Sequence, residues 1–286
     1  MEGLLWPGKC KSAAMFTFDL DGETIWDNAN ASLPNGGKYI KSVSLGRYGP
    51  KRSVPLILDM MDKYNLKCTF FIPGVTAERY PDLVRTIHDA GHEVAHHGYA
   101  HELFADKTVE QQIEIIEKTQ NLFREIIGRP ARGFRAPSGD WTVETPSLLF
   151  QRGIDYSSSM CGDDRPYRTI IDGVETDFVE MPSKWEQDDY VQMAYSMYPP
   201  RPGGQDRISC YRNVLDNFTR EFEGSHELGL LVVYMFHPQV IGTPGRMSIL
   251  ESLIKRTLRD GDVWVARGDE VADWYRKTYP IGVGAR

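Results

Sequence analysis

The sequence predicts an α/β protein, and residues 1–286 are expected to form one domain built as a (β/α) barrel. Short apolar segments alternate with amphipathic segments about seven or eight times, without a compositional break or an internal repeat. Such alternation favours parallel strands covered by helices. An open, doubly wound sheet would show the same alternation, but no GxGxxG or P-loop motif follows a predicted strand. Polar residues follow several predicted strands, as they do at the mouth of a barrel, and this favours the barrel.

Short apolar segments with β-prone residues predict the strands. The first segment ends in charge at Asp19, and the segment 229–236 (GLLVVYMF) is apolar throughout, as expected of a fully buried strand. In chain order the predicted strands are 13–19, 67–72, 93–96, 133–135, 154–158, 178–181, 229–236 and 263–266.

Amphipathic helices are predicted between these strands. The clearest is 108–127, because Thr108 and Gln111 form a capping box at its start and a glycine and a proline follow its end. Two polar stretches, 22–50 and 188–206, have no clear period and are predicted to be long loops. The other predicted helices are 53–64, 81–90, 145–152, 208–222, 248–259 and 269–277.

Composition and charge exclude several classes of protein. The formal net charge of −7 gives no basic surface for nucleic acid or an anionic membrane. No segment approaches the ~18 apolar residues of a membrane span. The first residues lack the features of a signal peptide and the four cysteines are far apart, so we expect a cytoplasmic protein with free thiols. The apolar, acidic composition is compatible with a homo-oligomer.

The segment 91–102 (GHEVAHHGYAHE) carries three histidines within six residues. His97 and His101 stand four apart, and in a helical turn this spacing brings two side chains to about 5–6 Å between Cβ atoms. Two imidazoles at that distance can hold one metal ion, and zinc is a natural partner for them. Ordinary surface or core histidines are the alternative, but three so close, flanked by Glu93 and Glu102, favour a metal site. At least one further ligand is needed.

Asp19 and Asp21 lie two residues apart at the end of the first predicted strand. Residues with this spacing in a strand point to the same face. Beside a metal ion, one carboxylate can ligate the ion while the other accepts a proton from water. The alternative is a turn, since Asp-Gly is a turn dipeptide. The nearby histidine cluster favours the functional interpretation.

Four motifs occur in the order and at the approximate separations of one known family. They are TFDLDGE (17–23), HHGYAH (96–101), FRAPSGDW (134–141) and MFHP (235–238). Over nearly the whole chain the sequence therefore resembles the polysaccharide deacetylase family, also described as NodB-homology proteins or family 4 carbohydrate esterases. The resemblance implies a distorted (β/α) barrel, one catalytic domain and a divalent metal ion, with zinc expected.

The functional residues of that family have matching positions here, so the resemblance implies their roles. An Asp/His/His metal site would leave coordination open, as a catalytic site must. The implied roles are general base for Asp19, general acid for His237, support of the base for Arg135, metal ligands for Asp21, His97 and His101, and a backbone N–H that binds the oxyanion at Ser138.

Two features depart from the commonest family pattern. Leu20 separates two aspartates that are usually adjacent, which makes the choice between base and ligand less secure. The Asp and Trp that tune the acid histidine have no clean counterpart, and Asp155 and Trp185 are loose candidates for them. Trp26, Trp141 and Trp185 are expected either to line a substrate cleft or to lie in the core.

The resemblance implies a metal-dependent hydrolase of non-peptide carbon–nitrogen bonds that removes N-acetyl groups from an amino sugar. The Asp-x-Asp form looks more like the cytosolic branch, which includes peptidoglycan-deacetylase-like proteins, cyclic imide hydrolases and allantoinase-like enzymes. The alternative substrate is therefore a cyclic imide or ureide, opened in a closed pocket with 22–50 and 188–206 as lids. A binding module whose metal only stabilises the fold is a second alternative, against which the near-complete catalytic set argues.

Overall fold

The computed structural model of the protein describes residues 4–195 and 208–282. In these two ranges the chain alternates nine strands with twelve α-helices. The strands are β1 (Ser12–Asp19), β2 (Thr69–Ile72), β3 (Glu93–His96), β4 (Gly133–Phe134), β5 (Tyr156–Ser157), β6 (Tyr167–Ile171), β7 (Val174–Glu180), β8 (Leu231–Phe236) and β9 (Val263–Val265). The helices are α1 (Thr24–Ala31), α2 (Ile40–Tyr48), α3 (Val54–Lys63), α4 (Gly74–Arg79), α5 (Pro81–Asp89), α6 (Val109–Ile127), α7 (Thr145–Phe150), α8 (Asp189–Met193), α9 (Tyr211–Glu227), α10 (Pro238–Ile241), α11 (Pro244–Leu258) and α12 (Gly268–Thr278).

The strands form one curved sheet in the order β6-β7-β5-β4-β3-β2-β1-β8. All pairs along this path are parallel except β6 with β7, and β9 pairs in parallel with the first residues of β1. A single parallel bridge joins Asp188, which follows β7, to Met235 in β8. The arrangement confirms the α/β class and the distorted barrel.

The alternation of β1 decides which side chains face the barrel interior. Ala13 and Met15 pack with Phe71 and Val233 in one buried cluster, whereas Phe16 packs on the helix-covered side of the sheet. Successive side chains of a strand point to opposite faces. Thr17 and Asp19 therefore point inward with Ala13 and Met15, which brings a carboxylate to the carboxyl-terminal end of the barrel.

The predicted loop 22–50 was wrong, because α1 and α2 lie within it. Helix α2 buries only Ser42 and Gly46, so it has no apolar stripe that a sequence pattern could reveal. A Cβ at Gly46 would overlap the backbone of Gly22. The two segments therefore pack through small residues.

The predicted loop 188–206 begins with α8, and its PPRPGG part lies outside the described residues. Strand β6 was missed, as were the short helices α4 and α10. The capping box of α6 is present between Thr108 and Gln111, as predicted. No helix in the described ranges is both long enough and apolar enough to cross a membrane.

Candidate active site

The carboxyl-terminal ends of the strands surround a cavity of about 210 Å³. Loops after β1, β3, β4, β5, β7 and β8 contribute to its wall. The mouth of a parallel barrel gathers such loops in one place, which is where catalytic groups are usually found. Of the residues predicted from the sequence, Asp19, His97, His101, Arg135, Ser138, Trp185 and His237 line it.

Asp21, His97 and His101 form a compact group of possible metal ligands. The Asp21 Oδ1 atom lies 3.5 Å from His97 Nε2 and 3.6 Å from His101 Nε2. Tetrahedral zinc with bonds of about 2.0–2.1 Å separates its ligand atoms by about 3.3–3.4 Å. The donor types and their spacing therefore fit a tetrahedral divalent ion, and three protein ligands would leave a position for water or substrate.

A hydrogen bond orients His97 toward this group. Its Nδ1 atom lies 2.8 Å from the carbonyl oxygen of Arg135, and a carbonyl only accepts, so Nδ1 carries the proton. Burial, the largest effect, lowers the pKa of His97, which favours the neutral ring. The lone pair of Nε2 is consequently directed toward Asp21, the arrangement typical of a metal-ligating histidine. Gln239 Nε2 donates to Asp21 Oδ2 at 3.0 Å and holds that carboxylate in turn.

The segment from His97 to His101 is a loop, so the predicted helical turn was wrong. Gly98 has φ +70° and His101 has φ +57°, and positive φ is incompatible with a right-handed helix. The Glu102 carboxylate accepts hydrogen bonds from the Tyr99 and Ala100 N–H groups and fixes the loop. The ring centres of His97 and His101 nevertheless lie 5.1 Å apart, although the backbone between them is not helical.

Asp19 is held by Arg135 inside the barrel. The Arg135 NH1 atom donates to Asp19 Oδ1 at 2.7 Å and to Thr17 Oγ1 at 2.9 Å. Its other nitrogens donate to the carbonyl and hydroxyl of Ser158, and the guanidinium lies 4.1 Å from the centre of the Phe71 ring. Burial raises the pKa of Asp19, but the charges of Arg135, His97 and His237 outweigh it and lower the pKa. Asp19 is thus ionised at neutral pH.

His237 is hydrogen-bonded to Asp189, an aspartate that the sequence analysis did not predict. Its Nδ1 lies 2.8 Å from Asp189 Oδ1, and the same oxygen accepts the His237 backbone N–H. Its Nε2 lies 3.9 Å from Asp19 Oδ2 and 3.9 Å from Asp21 Oδ2. Burial lowers the pKa of His237, but the hydrogen bond to Asp189 and the charges of Asp188, Asp189 and Asp21 outweigh it and raise the pKa to about 10.

Asp155, the first candidate for tuning the acid histidine, lies elsewhere. It precedes β5, at the opposite end of the barrel, and pairs with Arg132 at 2.9 Å. Asp189 occupies the position near His237 instead. The signal in the sequence was the pair Asp188 and Asp189 at the start of a helix, since Asp188 caps α8 through the Tyr190 N–H.

The remaining predicted residues divide between the cavity and the core. Ser138 lines the cavity with a left-handed φ of +58°, and its N–H donates no hydrogen bond to another residue of the described chain. Trp185 also lines the cavity. Trp26 is buried and Trp141 stacks on Phe134 at 6.1 Å between ring centres, and neither lines the cavity.

Three comparisons with known proteins show which family the chain resembles. A family model described as polysaccharide deacetylase matches residues 48–157. A solved structure of a Mycobacterium smegmatis protein assigned to the polysaccharide deacetylases superposes with a TM-score of 0.89 and 31% identity, over 97% of this chain and 94% of that one. The chain belongs to the polysaccharide deacetylase family. A peptidoglycan deacetylase from Helicobacter pylori is 28% identical over 263 residues, covering 83% of this chain and 88% of that protein.

The fold of the family also carries other chemistry. The crystal structure of Puue allantoinase superposes with a TM-score of 0.81 at 21% identity, over 98% of this chain and 95% of that one. At this identity the likeness shows the fold alone. The match of the polysaccharide deacetylase model covers the loops after β3 and β4, and hence His97, His101 and Arg135.

Proposed function

We propose that this polysaccharide deacetylase family member is a metal-dependent hydrolase that removes N-acetyl groups from an amino-sugar substrate. One observation supports this most strongly. A three-donor group, Asp21, His97 and His101, adjoins both an ionised carboxylate, Asp19, and a histidine of raised pKa, His237, around one cavity. An amide hydrolase needs these elements together, because a general base and a general acid must reach the same carbonyl.

Asp21, His97 and His101 would hold a divalent ion, with zinc expected from two imidazoles and one carboxylate. When bound, such an ion polarises a carbonyl oxygen and lowers the pKa of water. The ligand set leaves Asp19 free for another task, because Asp19 Oδ1 is already bound to Arg135. The ion pair of Arg135 with Asp19 at 2.7 Å supports Asp19 as the base and Asp21 as the ligand.

Asp19 would act as the general base through Oδ2. This oxygen faces His97 Nε2 at 3.8 Å and His237 Nε2 at 3.9 Å, so it lies between the proposed ligands and the proposed acid. Water attacking the acetyl carbonyl would lose its proton to this oxygen. The Ser138 N–H would donate a hydrogen bond to the oxyanion that develops on the carbonyl.

His237 would act as the general acid. Its Nδ1 is bound to Asp189, so the proton available for transfer is that on Nε2, which faces Asp19 and Asp21. His237 would give this proton to the departing nitrogen as the carbon–nitrogen bond breaks. The products are acetate and an amine, and the proton that Asp19 accepted returns to solvent or to His237 for the next cycle.

The test is acetate release from acetylated chito-oligosaccharides by the purified protein, with and without added Zn²⁺ after treatment with a chelator. We expect turnover only with metal. The His97→Ala variant should lose bound metal and at least ~10²-fold in activity. His88→Ala, on the surface of α5, is the matched control and should behave as the wild type. Full activity of the protein after its metal has been removed by the chelator would contradict the proposed metal dependence.

A cyclic imide or ureide is the second candidate substrate, and the size of the cavity favours it. A volume of about 210 Å³ is below the ~300 Å³ at which pockets for drug-sized ligands begin, and it suits one small ring. The same assay decides between the two, if ring opening and acetate release are followed separately. Absence of any turnover by metal-loaded protein would favour a metal-stabilised binding module.

Broader expectations about the domain, the location and the partners accompany this proposal. The catalytic unit is the whole chain, residues 1–286, acting as one domain. It is expected in the cytoplasm, with neither a nucleic-acid nor a membrane partner, and its composition is compatible with a homo-oligomer. Cell fractionation and light scattering would test the location and the oligomeric state.

A further inference from the structure

We propose that Trp185 restricts the enzyme to N-acetyl groups on chain ends or on small molecules. The indole forms a roof over one side of the cavity, and a polymer cannot cross the mouth on that side. This inference rests on the proposed deacetylase function, and it concerns which substrates can reach the site.

The topology makes Trp185 a bridge between loops that are not neighbours. Trp185 belongs to the segment after β7, and Gly139 belongs to the segment after β4. Strand β5 lies between these two strands in the sheet. Adjacent strands are ~4.8 Å apart, so the two loops would be separated by roughly twice this distance if each followed its own strand. Contact between them therefore passes over the loop that follows β5.

Gly139 meets the edge of the indole. Its φ is +100°, and a Cβ atom built on it would lie 3.3 Å from Cη2 and 3.7 Å from Cζ2 of Trp185. A larger residue at position 139 would thus press against the ring. Trp185 as a whole is nevertheless 57% exposed and lines the cavity, so it lies between the cavity and solvent on this side.

The segment that carries Trp185 is anchored to the loop beneath it. Ser183 N–H donates to the carbonyl of Met160 at 3.0 Å. Lys184 Nζ donates to the carbonyl of Cys161 at 3.2 Å and pairs with Asp164 at 3.0 Å. Two successive residues before the indole are therefore fixed to the β5 loop, and a substrate would have to break these bonds to lift the roof.

The size of the cavity agrees with a covered site. A cavity of about 210 Å³ is below the ~300 Å³ at which pockets for drug-sized ligands begin, so it suits one small ring rather than a row of sugars. An amide on the last residue of a chain can enter with the rest of the chain outside. An internal residue needs free space on both sides of the reacting amide, and the indole occupies one of them.

The experiment is to deacetylate tetrameric and hexameric N-acetylglucosamine with the zinc-loaded enzyme and to map the products by mass spectrometry. We expect the wild type to deacetylate a terminal residue. Trp185→Ala should raise the ratio of internal to terminal deacetylation at least about tenfold, with unchanged metal content and melting temperature. Trp185→Phe keeps part of the roof and should shift the ratio less. Trp141→Ala removes a tryptophan that does not line the cavity and should leave the ratio unchanged.

Several outcomes would overturn the inference. The wild type could deacetylate internal and terminal residues equally, or Trp185→Ala could leave the product pattern as it was. An equal loss of activity on every chain length would make Trp185 a stacking platform for one sugar. Absence of acetate from every oligomer, with metal bound, would overturn the proposed deacetylase function itself, and the inference with it.

Discussion

Both ends of the barrel bury carboxylates, but the two surroundings differ. At the mouth, Asp19 contacts Arg135 at 2.7 Å, and its pKa is lowered although burial opposes this. The opposite end of the barrel, where the strands begin, is called the base of the barrel. There Glu93 is equally buried, and its Oε2 accepts hydrogen bonds from the Thr69 hydroxyl and the Asp269 N–H. Within the described residues Glu93 has no ion pair, and burial together with the charge of Asp269 raises its pKa to about 7.

The opposite pKa shifts of Asp19 and Glu93 show what a buried carboxylate needs in order to stay ionised. Burial disfavours the charged form of a carboxyl group, and at Asp19 the charges of Arg135, His97 and His237 reverse the effect. The mouth supplies these charges and keeps a cavity beside them. The base instead closes by packing, because the Tyr156 ring approaches Gly133 and Gly268 so closely that a Cβ at either position would overlap it. The mouth is therefore expected to carry activity, and the base stability.

The largest expected effect is that of Asp19→Asn. The amide keeps the shape and can still accept the Arg135 hydrogen bond, but it cannot act as a base, so activity should fall by roughly 10² to 10⁴. Metal content should stay unchanged, because Asp21, His97 and His101 are intact. Acetate release and metal analysis on the same preparation measure both quantities.

Glu93→Gln is the matched control at the other end of the barrel. It also replaces a buried carboxylate by an amide, and it should leave activity close to that of the wild type. Near-normal turnover by Asp19→Asn, or an equal loss in the two variants, would contradict the division between mouth and base.

A smaller effect is expected from Asp189→Asn, which removes the charge beside His237. The hydrogen bond to Nδ1 can persist, but without the carboxylate the protonated ring is less stable and the pKa of His237 falls. Since a protonated His237 is the proposed acid, the alkaline limb of the profile of kcat/KM against pH should move to lower pH. Asp188→Asn, at 3.6 Å from Nδ1 rather than 2.8 Å, should move it less. An unmoved limb in Asp189→Asn would remove this role from Asp189.

The sequence predicted the parts of the fold that have a clear hydrophobic pattern or a clear helix-capping motif. Strand β1 and helix α6 were found almost to the residue, because one is a continuous apolar run and the other has a capping box. Helix α2 was missed because it packs through small residues, burying only Ser42 and Gly46; α1 was missed because its two buried apolar residues, Ile25 and Trp26, are adjacent and do not recur at helical spacing. A pattern of apolar positions cannot reveal a contact that depends on the absence of a side chain.

The candidate site was predictable where its residues lie in short motifs. Asp19 ends a strand, His97 and His237 each follow one, and the structure brings the three around one cavity. Asp189 was not found in this way, since it lies 48 positions from its partner His237 and the pair Asp188–Asp189 indicates only a helix start. The helical turn assumed for His97 to His101 was wrong because Gly98 permits a positive φ that residue spacing does not indicate.

At the base, Gly268→Ala should cost stability rather than activity. The new methyl group would overlap the hydroxyl and ring of Tyr156, and overpacking of this kind costs about 1–3 kcal/mol. Activity per folded molecule should remain, because the cavity is at the opposite end. Thermal unfolding monitored by circular dichroism measures the loss.

Gly224→Ala is the control for this substitution. Gly224 lies in α9 with nothing within 4 Å of a Cβ, and alanine is the better helix former by about 0.5–1 kcal/mol, so this variant should be slightly stabilised. A Gly268→Ala protein as stable as the wild type would show that the base tolerates extra volume.

The smallest expected effect is on the pH dependence of stability in Glu93→Gln. The folded state raises the pKa of Glu93 from 4.5 to about 7, so it holds a proton that the unfolded chain has already released. The contribution of this group is present in full below about pH 4.5 and is lost as the pH rises to about 7. Glutamine cannot lose that proton, so the free energy of unfolding of the variant should rise by on the order of 1 kcal/mol relative to the wild type between pH 5 and pH 8.

Urea unfolding at the two pH values measures the difference. Glu175→Gln, at an exposed position on β7, is the control and should show no such rise. Equal pH slopes for Glu93→Gln and the wild type would mean that Glu93 is ionised despite its burial and without a direct ion pair, and the contrast with Asp19 would fail.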